Sequence, residues 1–229
     1  MTIFQILRRL PASRTYTTLK ATIIKTPSPW IAAEHLTLNV DGSYIGPHMK
    51  NTTLPHRMGC ATCGGIIRDG EGNFVGAFST NLGKIHSHGT DISEAKAVKI
   101  GLELAEGIVC TGLQVQTDSK NIASLTSRLI PKTRHSCSRI IQACRKILRV
   151  RHWNIVDIHR DGNLIANKLA HMGHKVEEGT TTTYQSLSSI TDEEDRSEIE
   201  YLLHRDQISM RGGEGEEGEE GEGAFDTCG

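Results

Sequence analysis

Three carboxylates stand out by position rather than by number. Asp41 closes a short run of alternating apolar and polar residues, Glu94 opens a helical pattern, and Asp118 follows a second alternating run. In an open α/β sheet, ligands gather at the carboxyl ends of strands, so acids there are candidate site residues. A helix that begins near that edge brings Glu94 to the same place. Acids held together repel one another by several kcal/mol in a low-dielectric cleft. They stay ionised only with a cation between them. Hard oxygen ligands with open positions suit magnesium or manganese. Two such ions can activate a water and steady a leaving oxygen in phosphodiester cleavage. Singly, each acid has a simpler use: Glu94 favours a helix N-terminus, and Asp118 before Ser119 could be an N-cap. The three together, at the ends of suitable elements, point to metal-assisted phosphodiester chemistry.

The elements that must position them are legible in the patterning from about Glu34 to Lys175. Leu36, Leu38 and Val40 alternate with Thr37 and Asn39, which predicts a strand ending in the turn signal Asp41-Gly42-Ser43. Gly64 to Arg68 and Phe74 to Phe78 are two more strands, joined by the hairpin chemistry of Asp69-Gly70-Glu71-Gly72-Asn73. Leu82 to His88 could add to this meander. A helix over Ser93 to Gly107 takes Ser93 as its N-cap and buries Ala97, Val98, Gly101, Leu102 and Ala105. Leu113 to Thr117 is a strand. Ser119 to Leu129 and His135 to Val150 are helices separated by Pro131. Trp153 to Ile158 is a strand, and Gly162 to Met172 a closing helix with Leu164, Ile165, Leu169 and Met172 inward. The order β-β-β-α-β-α-α-β-α predicts an α/β fold with a mixed five-stranded sheet: three antiparallel strands, then parallel ones, with helices on both faces.

Five stretches then resemble one family in order. They are Asn39-Val40-Asp41-Gly42-Ser43, Gly64 to Asp69 with Gly72, Ser93 to Ala97 with Gly101, Leu102 and Ala105, Val115 to Ser119, and Arg160 to Asn163 followed by Ala166 to Ala170. Together with Trp30 they cover about residues 30–175. The chain resembles the ribonuclease H-like superfamily, and is most similar to plant reverse transcriptase-like domains of the kind found at the ends of non-LTR retroelements. That resemblance implies a metal-dependent endonuclease that hydrolyses the RNA strand of RNA–DNA hybrids with two magnesium ions, leaving 5′-phosphate and 3′-hydroxyl ends. It implies that Asp41 bridges both metals, that Glu94 and Asp118 each help hold one, and that Gly42 and Ser43 lie against the nucleic-acid backbone. The chain departs from the family at Asn167, where the signature carries a fourth carboxylate. An amide keeps one oxygen ligand and loses the charge. The second metal is therefore expected to bind more weakly. The alternative function is a catalytically degenerate, retroelement-derived domain that only binds nucleic acid. The mobile His of other branches is replaced by Asp157, with His159 two residues on as a weaker candidate for a proton shuttle. Asp161 is a still weaker stand-in carboxylate.

Other clusters carry less. Cys60-Ala61-Thr62-Cys63 has redox or zinc spacing, but no second Cys/His pair follows at zinc-site spacing. Arg145, Lys146 and Arg149, with Arg139 and Arg151, could track a phosphate backbone; they could equally be a solvated helix face. Six cysteines in 229 residues do not make a disulfide scaffold. No run of about 18 apolar residues exists, so no membrane helix is expected.

The formal net charge of −1 conceals two different materials. Residues 191–229 hold 14 of the 27 acids and 3 of the 26 Lys/Arg, a local charge of −11. The remainder carries 23 Lys/Arg against 13 acids, or +10, which would draw it to polyanions. Residues 1–30 form a basic leader ending in an extended Thr26 to Trp30 linker. Its acid-free, Arg-bearing, amphipathic composition suits a transit peptide. A mitochondrial or chloroplast destination follows if it is one, and a nuclear or cytoplasmic one otherwise. Residues 31–176 are expected to form the domain, as a monomer, and 177–229 a disordered acidic Gly/Glu-rich tail. That tail could fold back over the basic domain and compete with nucleic acid.

Overall fold

The computed structural model describes residues 33–46, 58–127 and 136–212. The alternating segments pair into one sheet. Its strands are β1 (Ala33–Tyr44), β2 (Cys60–Arg68), β3 (Phe74–Lys84), β4 (Cys110–Thr117), β5 (Asn154–Asp157) and β6 (Thr181–Tyr184). The helices are α1 (Gly89–Ala105), α2 (Lys120–Ser127), α3 (Ser138–Arg151), α4 (Leu164–Met172) and α5 (Glu193–Gly212). The sheet order is β5-β4-β1-β2-β3-β6. β1–β4 and β4–β5 are parallel, and the other pairs antiparallel. The β2–β3 turn closes as its composition predicts: Asp69 Oδ1 accepts from the backbone N–H of Glu71 and Asn73, and Gly72 takes the positive φ of 80°.

The sheet is covered on both faces. On one, Leu36, Leu38 and Val40 pack with Val98 and Leu102 of α1, Ile122 of α2, and Ile141 and Leu148 of α3. On the other, Ile66 and Ala77 pack with Ile165 and Leu169 of α4 and Ile199, Leu202 and Leu203 of α5. The predicted buried face of α1 holds at all five positions.

Four expectations are corrected. Asp41-Gly42-Ser43 is not a turn that ends β1, because the strand runs on to Tyr44 and stays paired with β2 as far as Ala61. The sheet has six strands, not five, because Thr181–Tyr184 pairs with Ala77 to Thr80 of β3. α1 begins at Gly89, a turn before the predicted start. Ser93 is therefore not its cap but an interior residue whose Oγ donates to Thr90 O at 2.8 Å. The domain does not end at 176. β6 and α5 bury Tyr184, Ile190, Ile199, Leu202 and Leu203 against α4 and the sheet. A low mean hydropathy hid them, because only one stripe of α5 is apolar and ion pairs secure the rest. Lys175 binds Asp192 and Asp195 at 2.8 and 2.7 Å, and Lys168 binds Asp195 at 3.0 Å and also Glu198. The leader, Trp30 and residues 213–229 lie outside the described residues.

Five buried apolar side chains are worth about 1.5–3 kcal/mol each before ordering costs. A chain stopped after Val176 is therefore expected to lose about 5 kcal/mol against the full chain in urea unfolding. Equal midpoints would show that β6 and α5 contribute nothing to the core.

Candidate functional site

Two close approaches build the site around β1. Asp41 and Gly64 are register partners on β1 and β2. A Cβ at Gly64 would collide with the backbone of Leu169 and Ala170, so glycine lets α4 settle directly on the sheet. Thr62 Oγ1 and Ser79 Oγ hold it there, donating to Ala170 O and Leu169 O at 2.7 Å each. On the opposite face a Cβ at Gly42 would strike the backbone of Ser93 and Glu94. Gly42 thus admits α1 to the strand end. Its small size serves this internal packing, whereas the sequence resemblance assigned it to the nucleic-acid backbone. Ser43 lies beside it, with Oγ 3.5 Å from His174 Nε2.

The result is one carboxylate cluster. Ligand oxygens of Asp41, Glu94 and Asp118 all lie within 4.8 Å of one another. Asp41 is 3% exposed and Glu94 9%. Asp118 follows the end of β4, where Ser119 rather than Asp118 accepts the α2 cap bond, from Ile122 N–H at 3.4 Å. The capping alternative for Asp118 is thereby removed. Burial, then the neighbouring Asp118, pushes Asp41 up to about 7, against a smaller opposing effect of the Asn167 amide. Burial, then Asp41 and Asp118, pushes Glu94 up to about 9. Glu94 Oε2 is buried with no hydrogen-bond partner among the described residues. A buried acceptor costs free energy when unmatched, and a cation would match it. The donor set, all carboxylate oxygen, suits a hard divalent ion.

These shifts set a pH dependence. Both acids bind protons more tightly folded than unfolded, so metal-free stability is greatest in mild acid. It falls as pH rises from about 4.5 through 7 toward 9. In chelator, the melting temperature is expected to be lower at pH 8 than at pH 5.5. Manganese should raise it more at pH 8, because bound metal replaces the lost protons. A melting temperature that is flat with pH in chelator would contradict the crowding of the acids.

The other predicted residues divide. Asn167 joins the site: its Nδ2 donates to Asp41 Oδ2 at 2.9 Å. Asp157 and His159 do not join it. Asp157 is exposed at the end of β5. His159 is 83% exposed and faces Asp161 at 3.2 Å, itself exposed. The parallel β4–β5 register ends at Thr117–Asp157, which leaves this segment on the rim. Arg145 turns inward, with its Nε donating to Leu125 O at 3.0 Å at the end of α2. Lys146 and Arg149 remain exposed on α3, with Arg139. Cys60 and Cys63 stand three apart on a strand and so face opposite sides. Cys63 is fully buried, and burial pushes its thiol up to about 12. The pair does not form a metal clip.

Sequence reasoning missed a buried polar network beneath the cluster. Asn39, on the polar side of the alternation in β1, is 1% exposed. Helices on both faces bury both sides of the strand. Asn39 Nδ2 donates to Gln116 Oε1 at 3.0 Å and to Asn163 Oδ1 at 3.4 Å. Asn163 in turn donates to Val40 O at 3.0 Å and Asp118 Oδ1 at 3.4 Å. The signal available in the sequence was the Arg160 to Asn163 stretch, one of the five that carry the resemblance.

Comparison with known proteins is decisive for the family. The family described as reverse transcriptase-like matches residues 50–173, more than half of the chain. This chain belongs to the reverse transcriptase-like family. The match contains Glu94, Asp118 and Asn167 of the reverse transcriptase-like domain but begins after Asp41; the fold returns Asp41 to them. The N-terminal RNase H domain of a Mycobacterium tuberculosis protein, solved as a fusion with maltose-binding protein, shares the fold. It is 17% identical, with a TM-score of 0.52, covering 62% of this chain and 94% of that one. RNase H1 from the archaeon Halobacterium salinarum is 18% identical, with a TM-score of 0.48, covering 62% and 98%. LC11-RNase H1, isolated from compost and solved in complex with an RNA/DNA hybrid, is 20% identical, with a TM-score of 0.49, covering 59% and 94%. The likeness to the Mycobacterium tuberculosis domain shows an RNase H-like α/β fold. No curated protein matches the sequence. No helix among the described residues is long and apolar enough to cross a membrane.

Proposed function

We propose that this protein is a metal-dependent endonuclease of ribonuclease H type, acting on the RNA strand of RNA–DNA hybrids. One observation carries the reading: three acids from three separate elements share a space of 4.8 Å in a reverse transcriptase-like domain. Folding alone gives no reason to crowd them, since crowding costs stability at neutral pH. Asp41, Glu94 and Asp118 would hold divalent ions, magnesium or manganese, and two such ions supply the charge that activates a water and steadies the leaving oxygen. By the motif resemblance Asp41 would serve both ions, with Glu94 and Asp118 each helping to hold one. Glu94 offers its unmatched Oε2. Asn167 presents an N–H to Asp41, and its Oδ1 would serve as a neutral ligand. The choice of RNA–DNA hybrid rests on family membership and the motif resemblance. Lys146 and Arg149 supply exposed positive charge for phosphates.

A second reading is favoured by one observation: a hydrogen-bond donor stands beside Asp41 where the family signature has a carboxylate. A domain that binds hybrid without cutting it would result. Incubating the full chain with a hybrid labelled on its RNA strand separates the two. Cleavage in magnesium or manganese, absent in chelator, supports the enzyme. Retention of hybrid without cleavage in either metal supports the binding module and overturns the enzyme.

A further inference from the structure

We infer that α5 is a positioning element of the carboxylate site, acting from Asp206 through Arg68, Asn39 and Asn163 onto Asp118. The inference rests on the function proposed above. Arg68, the last residue of β2, is 4% exposed, and its side chain bridges two parts of the molecule. Nη1 donates to Asp206 Oδ2 of α5 at 3.2 Å, and Nη2 donates to Asn39 Oδ1 at 2.8 Å. From Asn39 the chain continues to Asn163 and from there to Asp118 and to Val40 O, next to Asp41. Asn39 and Asn163 are 1% and 2% exposed. Each amide has its oxygen and nitrogen both engaged, so neither can flip without breaking three hydrogen bonds.

A buried guanidinium is costly unless paired. Asp206 is the carboxylate that pairs it, and it comes from the segment whose composition resembled a tail. Arg205 adds to the same end of α5, donating to Asp161 O at 3.3 Å in the turn that leads to Asn163. Low-dielectric surroundings make such a chain stiff and intolerant of partial satisfaction. Residues behind metal ligands orient them, and their loss typically costs about 10–100-fold in metal affinity or activity. Asn163 stands in that relation to Asp118, and Asp206 reaches Asn163 through Arg68 and Asn39. The other ion pairs of α5, at Lys168 and Lys175, sit at its opposite end and do not enter this network.

The test uses the full chain and manganese. In Asp206→Ala, manganese affinity is expected to fall about tenfold, with kcat reduced and KM for hybrid little changed. Asp206→Glu should restore part of both. Lys175→Met, which loosens the far end of α5, should leave metal affinity and the kcat/KM split as in the parent. If Asp206→Ala does not fold, Asp206→Asn keeps an acceptor for Arg68 and is measured in its place. The side-chain NH2 resonances of Asn39 and Asn163, recorded without metal, should shift in the Asp206 variant and not in Lys175→Met. Parent-like metal affinity in a folded Asp206 variant overturns the inference. Equal losses in Lys175→Met overturn it too, because α5 would then act by docking alone. Failure of the parent protein to bind manganese would instead count against the proposed function, while unmoved Asn39 and Asn163 signals would still count against the network.

Discussion

Asp41→Asn is expected to abolish metal-dependent cleavage of a labelled hybrid, by at least about a thousandfold in kcat, and to stabilise the metal-free protein. The first effect follows because Asp41 is one of three acids that share the site, and removing one member of an interdependent set disables the whole. The second follows from electrostatics. Asp41 is buried beside Asp118 and Glu94, and both burial and Asp118 raise its proton affinity. At pH 8 its ionised form is a net cost to folding. Replacing it with a neutral side chain of the same shape removes that cost, and an asparagine oxygen still accepts from Asn167. A gain of about 2 kcal/mol at pH 8 is expected in urea unfolding with chelator, shrinking toward pH 5, where the native acid is protonated. Loss of activity together with loss of stability would mean that the carboxylate supports the fold rather than a cation. Retained cleavage would remove Asp41 from the site.

Asn167→Asp carries the second large effect, in the opposite direction. Asn167 donates to Asp41 at 2.9 Å, which partly offsets the repulsion among the acids. An aspartate there replaces a donor with another negative charge. Without metal the variant is expected to lose about 2 kcal/mol at pH 8. With metal the added charge becomes a ligand, and hybrid cleavage at limiting magnesium is expected to rise about tenfold or more. Titrating cleavage against magnesium in both proteins checks this. Unchanged activity, with the metal-free loss present, would show that Asn167 stands beside the cluster without facing the ions. The parent asparagine would then be a stability adaptation, easing crowding that the fold must otherwise carry.

The two substitutions form a pair of opposite sign on both axes. Stability in chelator and activity in metal move against each other because one cause underlies both: the site concentrates negative charge that only a cation neutralises. A purely structural cluster would move the two together.

Much of this was legible in the residues themselves. Period-two alternation located β1 and β4, and the hairpin chemistry of Asp69 to Asn73 located β2 and β3. The spacing Ala97, Val98, Gly101, Leu102, Ala105 defined α1 through its buried stripe. Asp41, Glu94 and Asp118 could be named because family motifs surround them and the patterns set them near element ends, although β1 runs on to Tyr44 and α1 begins at Gly89. Tertiary structure decided what depends on approach between distant segments. Gly42 and Gly64 carry no side-chain signal, yet they set how closely α1 and α4 lie on the sheet, and so the distances within the cluster. Whether Arg145 faces solvent or a carbonyl of α2 depends on how two helices meet, which no local pattern encodes. Alternation marks a polar side of β1 without naming its partners: Asn39 meets Gln116, Asn163 and Arg68 only once distant segments are folded around it. The acidic segment after Glu178 read as solvated because its composition was averaged. Its one apolar stripe and its acids match β3, α4, Lys168, Lys175 and Arg68, and that match exists only once those groups have been folded into place.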